Sequence, residues 1–277
     1  MHLLDPFQYD FMQRAFVAAL VVGALCSTMG TYVVLRKLAF IGDGLAHASF
    51  AGIAIAYLRG ANYLAGATVA AVVTALGIGI VHRRAKVSLD TAIGVLFTGA
   101  FALGVFLMSR SSHATVDLQS YLFGTILGGG PQDLAVVVGL GVIVALVVGA
   151  LWRPLLYTSF DPVVAEAAGV RARFVEDALL VVVALTIIVS LPLVGIVLVA
   201  ALVVTPAAAA AQLTKRFVPM MLLSCGFGVF SAVGGLYASY WLKSASGATI
   251  VLLATLVFFA ALVAGRVNAM RRPRRAP

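Results

Sequence analysis

Eight predominantly apolar stretches of this chain contain no Asp, Glu, Lys or Arg, and their lengths constrain the fold more than any other feature. They are 15–35, 44–58, 60–82, 91–109, 134–152, 178–214, 217–242 and 244–265. About 20 apolar residues in a helix cross the ~30 Å of hydrocarbon in a bilayer, at ~1.5 Å per residue. Most of the runs match that length. The run 178–214 does not, because as one straight helix it would extend roughly 55 Å. Pro192 lies inside it, and proline kinks or breaks a helix. Two spans are therefore predicted there, 175–190 and 193–212, for a total of about nine.

Composition agrees. The chain is 62% hydrophobic and 10% charged, with a mean hydropathy of +1.10, whereas a soluble domain carries about 25% charge. A soluble enzyme, a disordered tail and a nucleic-acid-binding domain are excluded. The net charge of +9 reads as basic cytoplasmic loops. With nine spans and an external N-terminus, 15 of the 19 Lys and Arg residues fall inside. Treating 178–214 as a single crossing divides them 9 to 10. The expected fold is thus an all-α polytopic membrane protein with eight to nine spans, N-out and C-in.

No cleavable signal peptide is expected, since the first apolar run lacks a basic leader and is too long. Cys26 and Cys225 lie in apolar runs, so no disulfide framework is implied. The connection 110–133 holds a short apolar piece, Tyr121 to Leu127, closed by Gly128, Gly129, Gly130 and Pro131. It reads as a re-entrant or interfacial helix. The basic residues of the 266–277 tail suit anionic headgroups of the lipid bilayer. No strong internal repeat is present, and residues 1–277 read as one transmembrane domain.

No phosphate-binding G-x-x-x-x-G-K-[ST], H-E-x-x-H or G-x-S-x-G occurs, which argues against ATP hydrolysis, zinc proteolysis and a serine-hydrolase elbow. Transport is the default, with no catalytic residue and no resident cofactor expected. An intramembrane hydrolase would need a second catalytic group that the sequence does not offer.

Ionisable groups inside spans are costly and therefore informative. Gly42-Asp43-Gly44-Leu45-Ala46-His47-Ala48 is the one clear case. Asp43 and His47 are four residues apart and share a helix face. Carboxylate oxygen with imidazole nitrogen suits Mn²⁺, Fe²⁺ or Zn²⁺. One such pair is too few ligands, but a two-fold homodimer with this face on its axis would double them. Alternatively, Asp43 is a helix N-cap and His47 donates a hydrogen bond to a neighbouring helix.

The internal connection 153–174 contains Phe160-Asp161-Pro162 and, further on, Glu166-Ala167-Ala168-Gly169. Asp161 suits an N-cap, Pro162 the first helical position and Gly169 the stop. A helix of about two turns is predicted over 161–169, with Glu166 free to pair with a basic group. His113 and Asp117 are also four apart, in an external loop. They are weaker metal candidates, able to receive an ion from a binding protein, or simply solvated. His82, beside Arg83 and Arg84 at a helix end, reads as structural. Met29 and Met108 read as packing residues. Gly226, Gly228, Gly234 and Gly235 suit close helix approach or a mobile helix.

The run Arg36 to Ala48, with its Gly-Asp…His core, resembles the signature of the zinc/manganese permeases of ABC importers. Three more stretches agree: Tyr121-Leu122-Phe123-Gly124, Pro192-Leu193-Val194-Gly195 through Val204-Thr205-Pro206-Ala207-Ala208-Ala209, and Gly247-Ala248-Thr249-Ile250. The similarity covers roughly 12–265. Gly44 departs from the family's usual small or apolar residue, which loosens the helix start.

The resemblance implies several things. The cargo would be Mn²⁺, Zn²⁺ or iron, moved by alternating access across the bacterial cytoplasmic membrane. Asp43 and His47 would ligate it from both members of a homodimer. The 161–169 segment, with Asp161, Pro162, Glu166 and Gly169, would be the coupling helix. A separate ATP-binding subunit and an extracytoplasmic metal-binding protein would complete the system. An ion-coupled secondary transporter without an ATPase is the alternative.

Overall fold

The computed structural model describes residues 8–110 and 130–271. Among them are ten helices: α1 (Asp10–Leu35), α2 (Ile41–Leu58), α3 (Tyr63–Ala85), α4 (Leu89–Ser109), α5 (Pro131–Ala150), α6 (Trp152–Phe160), α7 (Pro162–Ala167), α8 (Ala172–Leu213), α9 (Phe217–Leu242) and α10 (Ser246–Arg271). Eight of these are long and apolar enough to cross a membrane. The expected Tyr121–Leu127 piece and residues 272–277 of the basic tail lie outside the described residues.

Local chemistry sets the helix ends. Asn62 accepts a hydrogen bond from the Ala65 amide at the start of α3, and Ser88 accepts one from the Thr91 amide at the start of α4. At α5 the Gly130 amide donates to the Asp133 carboxylate at 2.9 Å, with Pro131 in the first turn. Lys86 and Lys243 close α3 and α9 in the left-handed region, at φ 54° and 51°, placing their charge where it complements the helix dipole.

α8 is the hub. It packs against α1, α2, α3, α5, α9 and α10, and α2 in turn packs against α3 and α4. The helices touch where side chains are small. A Cβ on Gly66 would meet Ala56 Cβ at 2.7 Å and collide with the Gly52 carbonyl, so α2 and α3 pack backbone to backbone. The glycines of α9 divide. Gly228 lies against Ser27 of α1 and Gly235 against Ile250 of α10, whereas Gly226 touches nothing.

The apolar run expected to hold two spans is one helical element with a sharp bend. The bend is at Gly195, whose φ of 78° and ψ of 166° are non-helical, and not at Pro192, which sits within the helix. An unbroken helix would hold Ser190 and Ala207 roughly 25 Å apart along its axis. Yet Ser190 Oγ lies 3.9 Å from Cys26 Sγ, and Ala207 lies against Gly30, one turn further along α1. The two arms, 172–194 and 196–213, therefore fold back toward each other, and they account for the difference between eight apolar helices and the nine expected spans. Gly195 is buried, which is where non-helical backbone at membrane depth is tolerated.

A side chain at Gly195 would have to adopt a backbone region that is essentially glycine-only. Gly195→Ala is expected to cost about 1–3 kcal/mol, read as a lower melting temperature of the purified protein in detergent.

Candidate functional site

Asp43 and His47 lie one turn apart on α2. The N-cap position belongs to Phe40, so Asp43 is inside the first turn and is not the cap. There its charge favours the helix N-terminus. His47 Nδ1 is 2.9 Å from the backbone oxygen of Asp43 and 3.4 Å from its Oδ1. A carbonyl only accepts, so Nδ1 carries the hydrogen and Nε2 keeps its lone pair. The bond stays within α2, so this nitrogen is not tied to a neighbouring helix. The Asp43 side chain is 52% exposed and that of His47 25%. Among the described residues no three His, Cys, Asp or Glu side chains gather into a metal-holding group. The pair is a two-donor site on an open face. His113 and Asp117 lie outside the described residues.

The predicted cytoplasmic helix is α7. The Asp161 carboxylate accepts hydrogen bonds from the Val163 and Val164 amides, both at 3.0 Å. Pro162 opens the helix. Gly169 adopts φ +82°; its amide donates to Glu166 and that of Val170 to Ala165, each at 3.0 Å. This double bond pattern with a left-handed glycine is the Schellman stop. Ala165 is buried, while Val163 and Val164 point outward, 76% and 62% exposed. Asp161, Glu166 and Gly169 therefore serve one compact element.

Three features lay beyond the sequence reading. The first is α6, which lies in the connection where only the 161–169 helix was predicted. Trp152 and Phe160 pack on Phe217 at ring distances of 5.5 and 6.3 Å. The apolar spacing of Trp152, Leu155 and Leu156 was its one available signal.

The second is Arg36, after α1. Its guanidinium donates to Thr158 Oγ1 at 2.7 Å and Ser159 Oγ at 3.3 Å. Burial pushes its pKa below the ordinary arginine value, and the charges of Glu176 and Tyr32 oppose that shift.

The third is Arg83, at the end of α3. It grips Asp177 through two nitrogens, at 2.8 and 3.2 Å, and reaches Glu176 at 3.4 Å. Gly79 leaves the niche, since a Cβ there would lie 2.7 Å from Asp177 Oδ1. His82 beside it holds the following turn, with Nδ1–H donating to the Val87 carbonyl at 2.7 Å. Arg36, Arg83, α6 and the second turn of α8 thus meet at one end of the bundle, the end to which the charge count assigned the inside.

The Arg83 contacts generate a measurable expectation. Arg83→Ala and Asp177→Asn each lose a charge-assisted hydrogen bond of about 1.5–3 kcal/mol. In a double-mutant cycle of melting temperatures in detergent, the double variant is expected to lose less than the two singles added. Additive losses would show the pair to be uncoupled.

An ionisable pair on an apolar helix and a capped helix at the basic end of the bundle suit a membrane transport permease. The chain belongs to the ABC 3 transport family, whose pattern matches residues 8–265. It is 42% identical over 250 residues to the manganese transport system membrane protein MntC of Halalkalibacterium halodurans, covering 90% of this chain and 86% of that one. It is 36% identical over 251 residues to the manganese import system permease protein ScaB of Streptococcus parasanguinis, covering 91% and 89%. Its fold is similar to that of PsaBC from Streptococcus pneumoniae in complex with Fab, with a TM-score of 0.84 and 31% identity over 98% of this chain and 99% of that one. The protein is a multi-pass permease of the bacterial cytoplasmic membrane, as its motifs implied, and secondary transport without an ATPase is not favoured.

Proposed function

We propose that this permease carries a divalent transition metal ion, Mn²⁺ foremost, into the cytoplasm as part of an ABC importer. The observation that supports this reading is the Asp43–His47 pair. It offers a carboxylate and an imidazole with Nε2 free, the donors that suit Mn²⁺ and its neighbours. Two donors leave a transition ion under-coordinated. A second copy of the chain, meeting the first across the open face of α2, supplies two more, and two carboxylates neutralise a divalent ion. Such a partner also removes a half-exposed carboxylate from lipid, where it is costly. The manganese names of MntC and ScaB point to the same cargo. Zn²⁺ and iron are its competitors, because affinity alone favours zinc.

The chain holds ligands and hinges, and ATP hydrolysis resides in a separate subunit. That subunit receives α7, whose exposed Val163 and Val164 offer an apolar contact next to the acidic Glu166. An extracytoplasmic binding protein delivers the ion to the opposite face. The N-terminus is outside and the C-terminus inside.

Uptake of ⁵⁴Mn and ⁶⁵Zn is the test, in cells lacking their own importers and expressing the chain with its neighbouring ATPase and binding protein. ATP-dependent uptake is expected, larger for ⁵⁴Mn, and falling to background in His47→Ala and Asp43→Asn at matched membrane levels. Undiminished uptake by both variants would remove the pair from the mechanism.

Asp161→Ala removes the cap of α7 at about 1 kcal/mol. A six-residue helix has little propensity to absorb that loss. Ion transport is expected to fall relative to ATP hydrolysed, measured in proteoliposomes containing the whole importer.

A further inference from the structure

The Nδ1 bond decides which nitrogen of His47 can ligate, but not what holds the plane of the ring, and ligand histidines depend on such support. α4 supplies a surface for it. The Phe101 ring lies 5.5 Å from that of His47, centroid to centroid, at an interplanar angle of 77°, an edge-on contact. Phe97, one turn earlier, lies 6.2 Å away at 57°. Phe101 also meets Phe50 at 5.6 Å, so it sits between His47 and the next aromatic residue along α2.

The backbones fix this arrangement. A Cβ on Gly104 would lie 2.9 Å from the Ala51 amide nitrogen and 3.0 Å from the Phe50 carbonyl carbon. A Cβ on Gly44 would lie 2.8 Å from Ile93 Cγ2. α2 and α4 are thus pressed together on both sides of His47, with Phe101 one turn from the tightest point. Gly44, which reads from sequence as a loosened helix start, is also the place that lets α4 close in beside the Asp43–His47 pair.

We propose that Phe101, backed by Phe97, is a positioning residue for His47. Its edge-on ring holds the imidazole plane so that Nε2 meets the ion, and it walls the α4 side of the site against water. The inference rests on the reading of Asp43 and His47 as the ion site. A residue acting this way prepares binding and leaves the ATP-driven step alone, so its loss raises the KM for the ion and spares the maximal rate.

The test uses the complete importer in proteoliposomes and ⁵⁴Mn uptake against Mn²⁺ concentration. Phe101→Leu keeps apolar bulk without a ring, Phe101→Tyr keeps the ring, and His47→Ala is the reference. Phe101→Leu is expected to raise KM about three- to tenfold, the range an aromatic edge contact supports, at nearly unchanged maximal rate. Phe101→Tyr is expected to match the wild type. Phe101→Leu equal to wild type overturns the proposal, as does an equal defect in Leu and Tyr or a fall in rate at constant KM. If Phe101→Leu does not assemble, Phe97→Leu is measured in its place. A smaller KM rise there supports the proposal, and an unchanged KM overturns it. Silence of His47→Ala would instead sink the ion-site reading itself. Loss of uptake in His47→Ala beside a silent Phe101→Leu would sink only the positioning role.

Discussion

Hydrocarbon offers a backbone amide no partner but another backbone group, and the structure is organised around that limit. Hydroxyls within the bundle bond to helix carbonyls: Thr28 to Ala24, Thr186 to Val182, Ser190 to Thr186. One buried seam of hydroxyls reaches between helices, with Ser224 donating to the Ser27 carbonyl at 2.7 Å and Ser27 to the Leu202 carbonyl at 3.3 Å. The one sharp non-helical break within the described spans, at Gly195, is in the most enclosed helix. There the surrounding helices shield what lipid could not satisfy.

The bend gives α8 two separate neighbourhoods. Its start follows α7, and its second turn is clamped by Arg83 through Asp177 and Glu176. Its second arm brings Ala200 Cα within 3.4 Å of where a Cβ on Gly42 would stand, next to Asp43. One element therefore touches both the basic end of the bundle and the helix start that carries Asp43 and His47. Packed interiors transmit displacement because they resist compression, so a movement at α7 has a continuous packed route to α2.

Some of this was legible because it is local. A cap, a first-turn proline and a glycine stop act over a few residues, and Asp161, Pro162 and Gly169 end α7 as their chemistry dictates. The i,i+4 spacing of Asp43 and His47 needs only a helix. The misplaced break has a physical reason. Proline removes one donor and is accommodated in membrane helices, whereas a glycine at positive φ forces a bend. Nothing local distinguishes Gly195 from the other glycines among the chain's 27. Phe40, not Asp43, occupies the N-cap because the turn after Lys37, at φ 58°, starts the helix early.

What the sequence determined by itself were the properties that follow from transfer free energy and short-range geometry. These are the apolar spans, the basic end, the capped helix after Phe160 and the facing carboxylate and imidazole. Tertiary structure decided the rest. Arg83 meets Asp177 across 94 positions, Ser190 and Ala207 lie back along one stretch of α1, and Phe101 stands edge-on to His47. Each depends on how closely two helix backbones approach. That distance is set by glycines and packing on both partners, and no single stretch of sequence contains both sides of such a contact.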